Sequence, residues 1–146
     1  MDSTLQTALH HQMSMIQELI KRMSENSRNT KTWAISLVSA LLVFSSKTVL
    51  IPWYILILPV LPLMYIDMYY LALETFYREQ YNKLKTRYKE NKITIENIYD
   101  IENPNGSLDI FFQFGSKSIW PFYGLLMAVA GLIGYFLATQ VNCIGA

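Results

Sequence analysis

The 146-residue chain has one cysteine, Cys143, so no disulfide can close within it, and neither a zinc cluster nor a redox pair can be built on thiolates. Histidine is as scarce. His10 and His11 are adjacent, and neighbours on a helix diverge by about 100°, so the two rings cannot clamp one metal as an i,i+4 pair would. Neither sign of charge is in excess, with 12 Lys and Arg against 11 Asp and Glu, and there is no basic cluster free of carboxylates, which argues against a nucleic-acid partner. A glycine-rich phosphate loop, a nucleophile elbow and paired carboxylates inside an apolar stretch are all missing. These absences argue against an enzyme and predict no cofactor. Residues 118–146 also lack Asp, Glu, Lys, Arg and His altogether.

What is present is long neutral stretches. Residues 32–46 lie between Lys31 and Lys47, residues 48–66 lie between Lys47 and Asp67, and residues 119–137 open with Trp120 and Tyr123. A helix rises ~1.5 Å per residue against a hydrocarbon core of ~30 Å, so the first stretch needs its flanking lysines to snorkel and the third needs no help. Pro52 suits a helix start after a tight turn, while Pro59 and Pro62 are expected to kink a second span. The pattern predicts an all-α membrane protein with three transmembrane helices. A cytosolic amphipathic helix would occupy 1–31, a two-span hairpin 32–66, a cytosolic helix and connecting segment 67–118, and the third span with a short external tail 119–146. No basic region followed by an apolar core and a cleavage site opens the chain, so the first span is expected to direct insertion.

Two stretches are amphipathic. Leu5, Leu9, Met13, Ile16, Ile20 and Met23 recur every three or four residues and trace one stripe of a helix over 3–23. Tyr70, Leu73, Tyr77, Tyr81, Leu84 and Tyr88 do the same after Asp67, where the helix is expected to run straight out of the second span, with Glu74 and Arg78 as an i,i+4 pair. Between 91 and 116 the reading stays open: Ile93, Ile95, Ile98 and Ile101 fit strand alternation or a short helix, and Pro104 with Asn105-Gly106 marks a turn. This cytosolic segment is irregular or β-hairpin-like.

Gly124, Ala128, Gly131 and Ala138, with Gly134 close by, form a narrow small-residue face on the third stretch, and Ser36 and Ala40 form a weaker one on the first. Such faces let helices approach closely, within one subunit or between copies, so self-association into a homo-oligomer is expected through them. All Lys and Arg residues except Lys47 fall before the first stretch or between the second and third. The positive-inside rule then predicts a multi-pass protein of the inner membrane, in contact with the lipid bilayer, with a cytoplasmic N-terminus and a periplasmic or extracellular C-terminus.

The run Asp67-Met68-Tyr69-Tyr70-Leu71-Ala72-Leu73-Glu74, continued by Tyr77-Arg78 and Tyr81-Asn82, together with Lys117-Ser118-Ile119 and Pro121-Phe122-Tyr123, resembles the RipA-like octameric membrane proteins, ring-interacting anti-phage effectors of bacteria. The resemblance covers most of the chain and rests on aromatic and apolar motifs. It implies a defence effector that senses a phage ring assembly, a portal or small terminase, in the cytosol. The effector would oligomerise on the ring and permeabilise the inner membrane, aborting infection. Leu9, Met13, Ile16, Tyr70, Tyr77, Arg78, Tyr81 and Leu84, on the two amphipathic stripes, would then meet the trigger. The rival expectation is a constitutive oligomeric or accessory membrane subunit with no killing activity.

Overall fold

A stripe that recurs every three or four residues keeps one side of a helix facing the same way, and here it does not stop at Met23. Leu9, Gln12, Ile16, Ser27, Thr30, Ala34 and Val38 are all buried on one side of a single helix, α1 (Ser3–Lys47), which runs unbroken for 45 residues. At ~1.5 Å per residue it is about 67 Å long. The computed structural model describes residues 3–47, 57–90, 93 and 115–144, apart from the side chains of 3, 45–47, 137, 138 and 140–144.

The second helix, α2 (Val60–Lys89), begins directly after Pro59, which occupies its N-cap. Pro62 falls in the first turn, where a backbone N–H would have no helical acceptor, so its missing donor costs nothing. The prolines expected to kink a membrane span instead mark where a helix starts. At the other end the Glu90 N–H donates to the Thr86 carbonyl at 3.1 Å, and Arg87 and Lys89 sit where positive charge suits the helix dipole. The third helix, α3 (Trp120–Ile144), follows a turn in which the Trp120 N–H reaches the Ser116 carbonyl at 3.3 Å, and Pro121 sits harmlessly in its first turn.

Helices α1 and α2 lie antiparallel. Gln17 meets Tyr81 and Ser27 meets Asp67, so partners run in opposite directions along the two helices. One apolar cluster, built on Leu9, Ile16 and Leu84 with Met13, Tyr77 and Tyr81 at its edge, draws on α1, α2 and Ile93 alone and forms a two-helix stalk. The other cluster gathers Ala34, Val38, Val60, Met68, Ile119, Tyr123 and Ala130 from all three helices and forms a head. Buried Ser27 and Thr30 lie between the two in sequence on α1, and buried Asp67 stands next to Met68 of the head cluster on α2.

Among the described residues no helix is long and apolar enough to cross a membrane. This overturns the three transmembrane helices, the two-span hairpin and the multi-pass inner-membrane location with its cytoplasmic and external ends. The first neutral stretch, residues 32–46, is the C-terminal end of α1 and is about 22 Å long. In α2 Asp67 falls only about 10 Å after the helix begins. The fold is a bundle of three helices with no strand among the described residues. The open choice between strand and helix over 94–114, Pro52, the Asn105-Gly106 turn and the side chain of Cys143 lie outside the described residues.

Because Leu84 is buried at the centre of the stalk and Tyr88 is exposed one turn later, Leu84→Ala should destabilise the protein by about 2–5 kcal/mol and Tyr88→Ala by about 0.5 kcal/mol or less. Urea denaturation followed by circular dichroism measures both.

Candidate functional site

The chemistry of the molecule concentrates where the stalk joins the head. Ser27 and Lys31 are one turn apart on α1 and so project to the same side, towards Asp67 on α2. The Ser27 hydroxyl donates to Asp67 Oδ1 at 2.5 Å, Lys31 Nζ donates to Ser27 Oγ at 3.0 Å, and Nζ lies 2.6 Å from Asp67 Oδ2. Oδ2 accepts no hydrogen bond of good geometry; the ammonium holds it by charge. Asp67 is 0% exposed, whereas the Lys31 side chain keeps 18% of its surface open to solvent. Thr30 is buried beside them and returns its hydroxyl to the Asn26 carbonyl at 2.9 Å.

Tyr123 adds α3 to this node. It is fully buried, with its hydroxyl 3.5 Å from the Leu63 carbonyl, at the outer edge of hydrogen-bonding range. Burial, then the negative charge of Asp67, then a hydrogen bond to Asp67 push its ionisation above the ordinary phenol range. The phenol therefore stays a neutral donor. Three helices thus contribute to one polar cluster, in which the carboxylate is neutralised by an ammonium and hydrogen-bonded by a hydroxyl. The carboxylate is sealed from solvent, and its pairing ties α1 to α2. Among the described residues no group of three His, Cys, Asp or Glu side chains could hold a metal ion.

The sequence reading missed this node. It took Lys31 as a snorkelling flank, Asp67 as a boundary residue and Tyr123 as an aromatic at a span entry. The signal was present in the spacing, since Met23, Ser27, Thr30, Ala34 and Val38 extend the apolar stripe of α1 without a break. Polar and small residues hide a stripe from a search based on hydrophobicity. A lone aspartate among apolar neighbours on α2 then calls for a cation on the facing helix.

The residues proposed to meet a trigger occupy the stalk. Leu9, Ile16 and Leu84 are its buried core, Met13, Tyr70, Tyr77 and Tyr81 are half-buried, and Arg78 is exposed and tied to Glu74 Oε1 at 2.7 Å. Arg78 and Tyr81 also line an open groove of about 370 Å³ with Gln17, Ile20 and Asn82, where Gln17 Nε2 donates to Tyr81 Oη at 3.1 Å. The small-residue faces lie in the head. Ser36, Ala40 and Ala128 are exposed, Gly124 and Gly131 half-buried and Gly134 buried; the side chain of Ala138 is outside the described set. A Cβ added at Gly131 would meet no atom within 4 Å among the described residues, so neither α1 nor α2 approaches closely there.

No known family model, curated protein or solved structure matches the chain. The resemblance to the RipA-like effectors is therefore not upheld, and it also required spanning helices that the described residues do not contain. Sensing of a phage ring, oligomerisation on it and permeabilisation of the inner membrane fall with it, as does the rival membrane subunit.

Removing one partner of a buried ion pair strands the other. Lys31→Met should therefore cost about 3–5 kcal/mol, whereas the apolar double substitution Lys31→Met with Asp67→Leu should come within about 1 kcal/mol of the parent protein; chemical denaturation reads both. A raised phenol ionisation means that the folded state holds its proton more tightly than the unfolded state does. The contribution of Tyr123 is complete below about pH 10 and is lost as pH climbs above it towards the folded value. Tyr123→Phe should flatten this alkaline fall in stability, measured as the denaturation midpoint between pH 8 and pH 11.

Proposed function

We propose that the protein works by assembly and not by catalysis, as a helical interaction module whose head binds a second copy of the same chain. The observation that carries this reading is the apolar surface of the head. Trp33 is 67% exposed, Leu125 68%, Leu132 60% and Phe136 63%, and Phe44 and Leu61 add to them, so large apolar side chains from all three helices face outward. A helix that is apolar on every side belongs inside something larger, and monomers rarely leave contiguous apolar patches beyond a few hundred Å² in water.

A second copy suits this surface for three reasons. Both sides of such an interface would carry the same aliphatic and aromatic chemistry, as two-fold symmetry requires. The exposed small residues Ser36, Ala40, Ala128 and the open position at Gly131 leave room for a neighbouring helix to come close. The Ser36 hydroxyl on that face returns to the Thr32 carbonyl at 3.0 Å, so burying it strands no donor. Catalysis has no comparable support, because the most concentrated ionisable group, Asp67, is sealed inside the bundle.

Sedimentation equilibrium over a hundredfold range of concentration tests the proposal. The expected result is a mass of two or more chains, weakened at least about tenfold in association constant by Leu132→Glu or Gly131→Leu, with helix content unchanged. A one-chain mass at every concentration overturns self-association, and flotation of that single chain with phosphatidylcholine vesicles would assign the head to lipid instead.

A further inference from the structure

The three helices are not held equally. Helices α1 and α2 share both apolar clusters, whereas among the described residues α3 joins the head cluster only, through Tyr123 and Ala130, with Ile119 just before its first turn. The ion pair beneath α3 belongs entirely to the other two helices, since Ser27 and Lys31 lie on α1 and Asp67 on α2. Among the described residues α3 brings to this node the phenol of Tyr123, whose hydroxyl lies 3.5 Å from the Leu63 carbonyl and whose ionisation is raised by burial and by the charge of Asp67. Asp67 is fully buried and Tyr123 lies close enough to feel its charge, so α3 shares in covering a pair of charges whose two partners both belong to the other helices.

Keeping charges out of water opposes folding even when they are paired. If α3 leaves, the Lys31–Asp67 pair survives and its carboxylate regains solvent, which offsets part of the cost of exposing Ala34, Val38 and Val60. If α1 and α2 separate, the pair itself breaks and nothing comparable is recovered. The two separations therefore differ in free energy for a reason located at one site. We infer that α3 is a detachable element, which undocks from an intact α1–α2 hairpin in a local transition whose balance is set by the desolvated Lys31–Asp67 pair and the Tyr123 hydroxyl above it. The undocked state bares Ala34, Val38 and Val60 and turns a closed bundle into an open helical hairpin. This device does not rest on the self-association proposed above.

Hydrogen exchange read by mass spectrometry on the full chain, in a Leu132→Glu background that discourages association between copies, tests it. Peptides from 120–136 are expected to exchange at least about tenfold faster than those from 9–16 and 72–84, because local opening precedes global unfolding. Tyr123→Phe keeps the ring and removes the hydroxyl; it should speed exchange in α3 by roughly threefold or more and leave the stalk unchanged. Lys31→Met with Asp67→Leu removes the gain from rehydration and should slow α3 towards the stalk rate. A single rate shared by all three helices overturns the inference, as does a Tyr123→Phe protein whose α3 exchange equals that of its parent. Should the double variant fail to fold, the Tyr123→Phe comparison decides.

Discussion

A carboxylate sealed from water has to be neutralised where it stands, and Asp67 imposes that requirement on every helix of this protein. Its cation must come from α1, which sets Lys31 opposite it and aligns the two long helices; the Ser27 hydroxyl, one turn earlier, completes the pairing. Shifting α1 by one turn along α2 would leave the charge stranded, whereas the apolar packing above and below could be remade with other residues of similar shape. The apolar stripe thus supplies most of the adhesion and the polar node selects the alignment. A single buried polar position plays the same part in coiled coils, where it fixes register at some expense of stability.

Two ends of different chemistry follow from that alignment. On the stalk side the helices alternate an apolar inner face with a charged outer one, as two helices packed in water require. On the head side the outer faces are apolar as well, and the hydroxyls of Thr32 and Ser36 are turned back onto their own helix. A surface of that kind is what the proposed self-association would cover. The node lies where the two regimes meet and is shared by all three helices, so the docking of α3 and the alignment of the stalk act on the same few side chains.

The membrane reading failed for reasons visible in particular residues. It divided α1 at Lys31 because charge was taken as a boundary, yet Lys31 turns inward to Asp67 and the helix passes through it. It took Pro59 and Pro62 as interruptions within a span, although proline in a first turn is favourable and the helix begins there. Neutral runs in sequence record what a segment lacks. They do not record which side of it is covered or how far the helix holding it extends.

The sequence by itself determined that the amphipathic stretches are helical, that α2 continues from the second neutral stretch through the tyrosine-rich segment, and that one amphipathic face runs along each half of the stalk, because three- and four-residue periodicity is a local property of the backbone. The Glu74–Arg78 pair was legible for the same reason, its partners being one turn apart. Only the tertiary structure decided that Ser27, Lys31, Asp67 and Tyr123 meet. They stand up to 96 positions apart and each has an ordinary local role available, as a helix hydroxyl, a flank, a boundary or an interfacial ring. It also decided which of the stripe residues lie at the centre, since Leu84 and Ile16 are buried while Tyr88 is not. The physical reason is common to both: periodicity names the face a residue is on, whereas burial and charge pairing depend on what the opposite helix presents at that height.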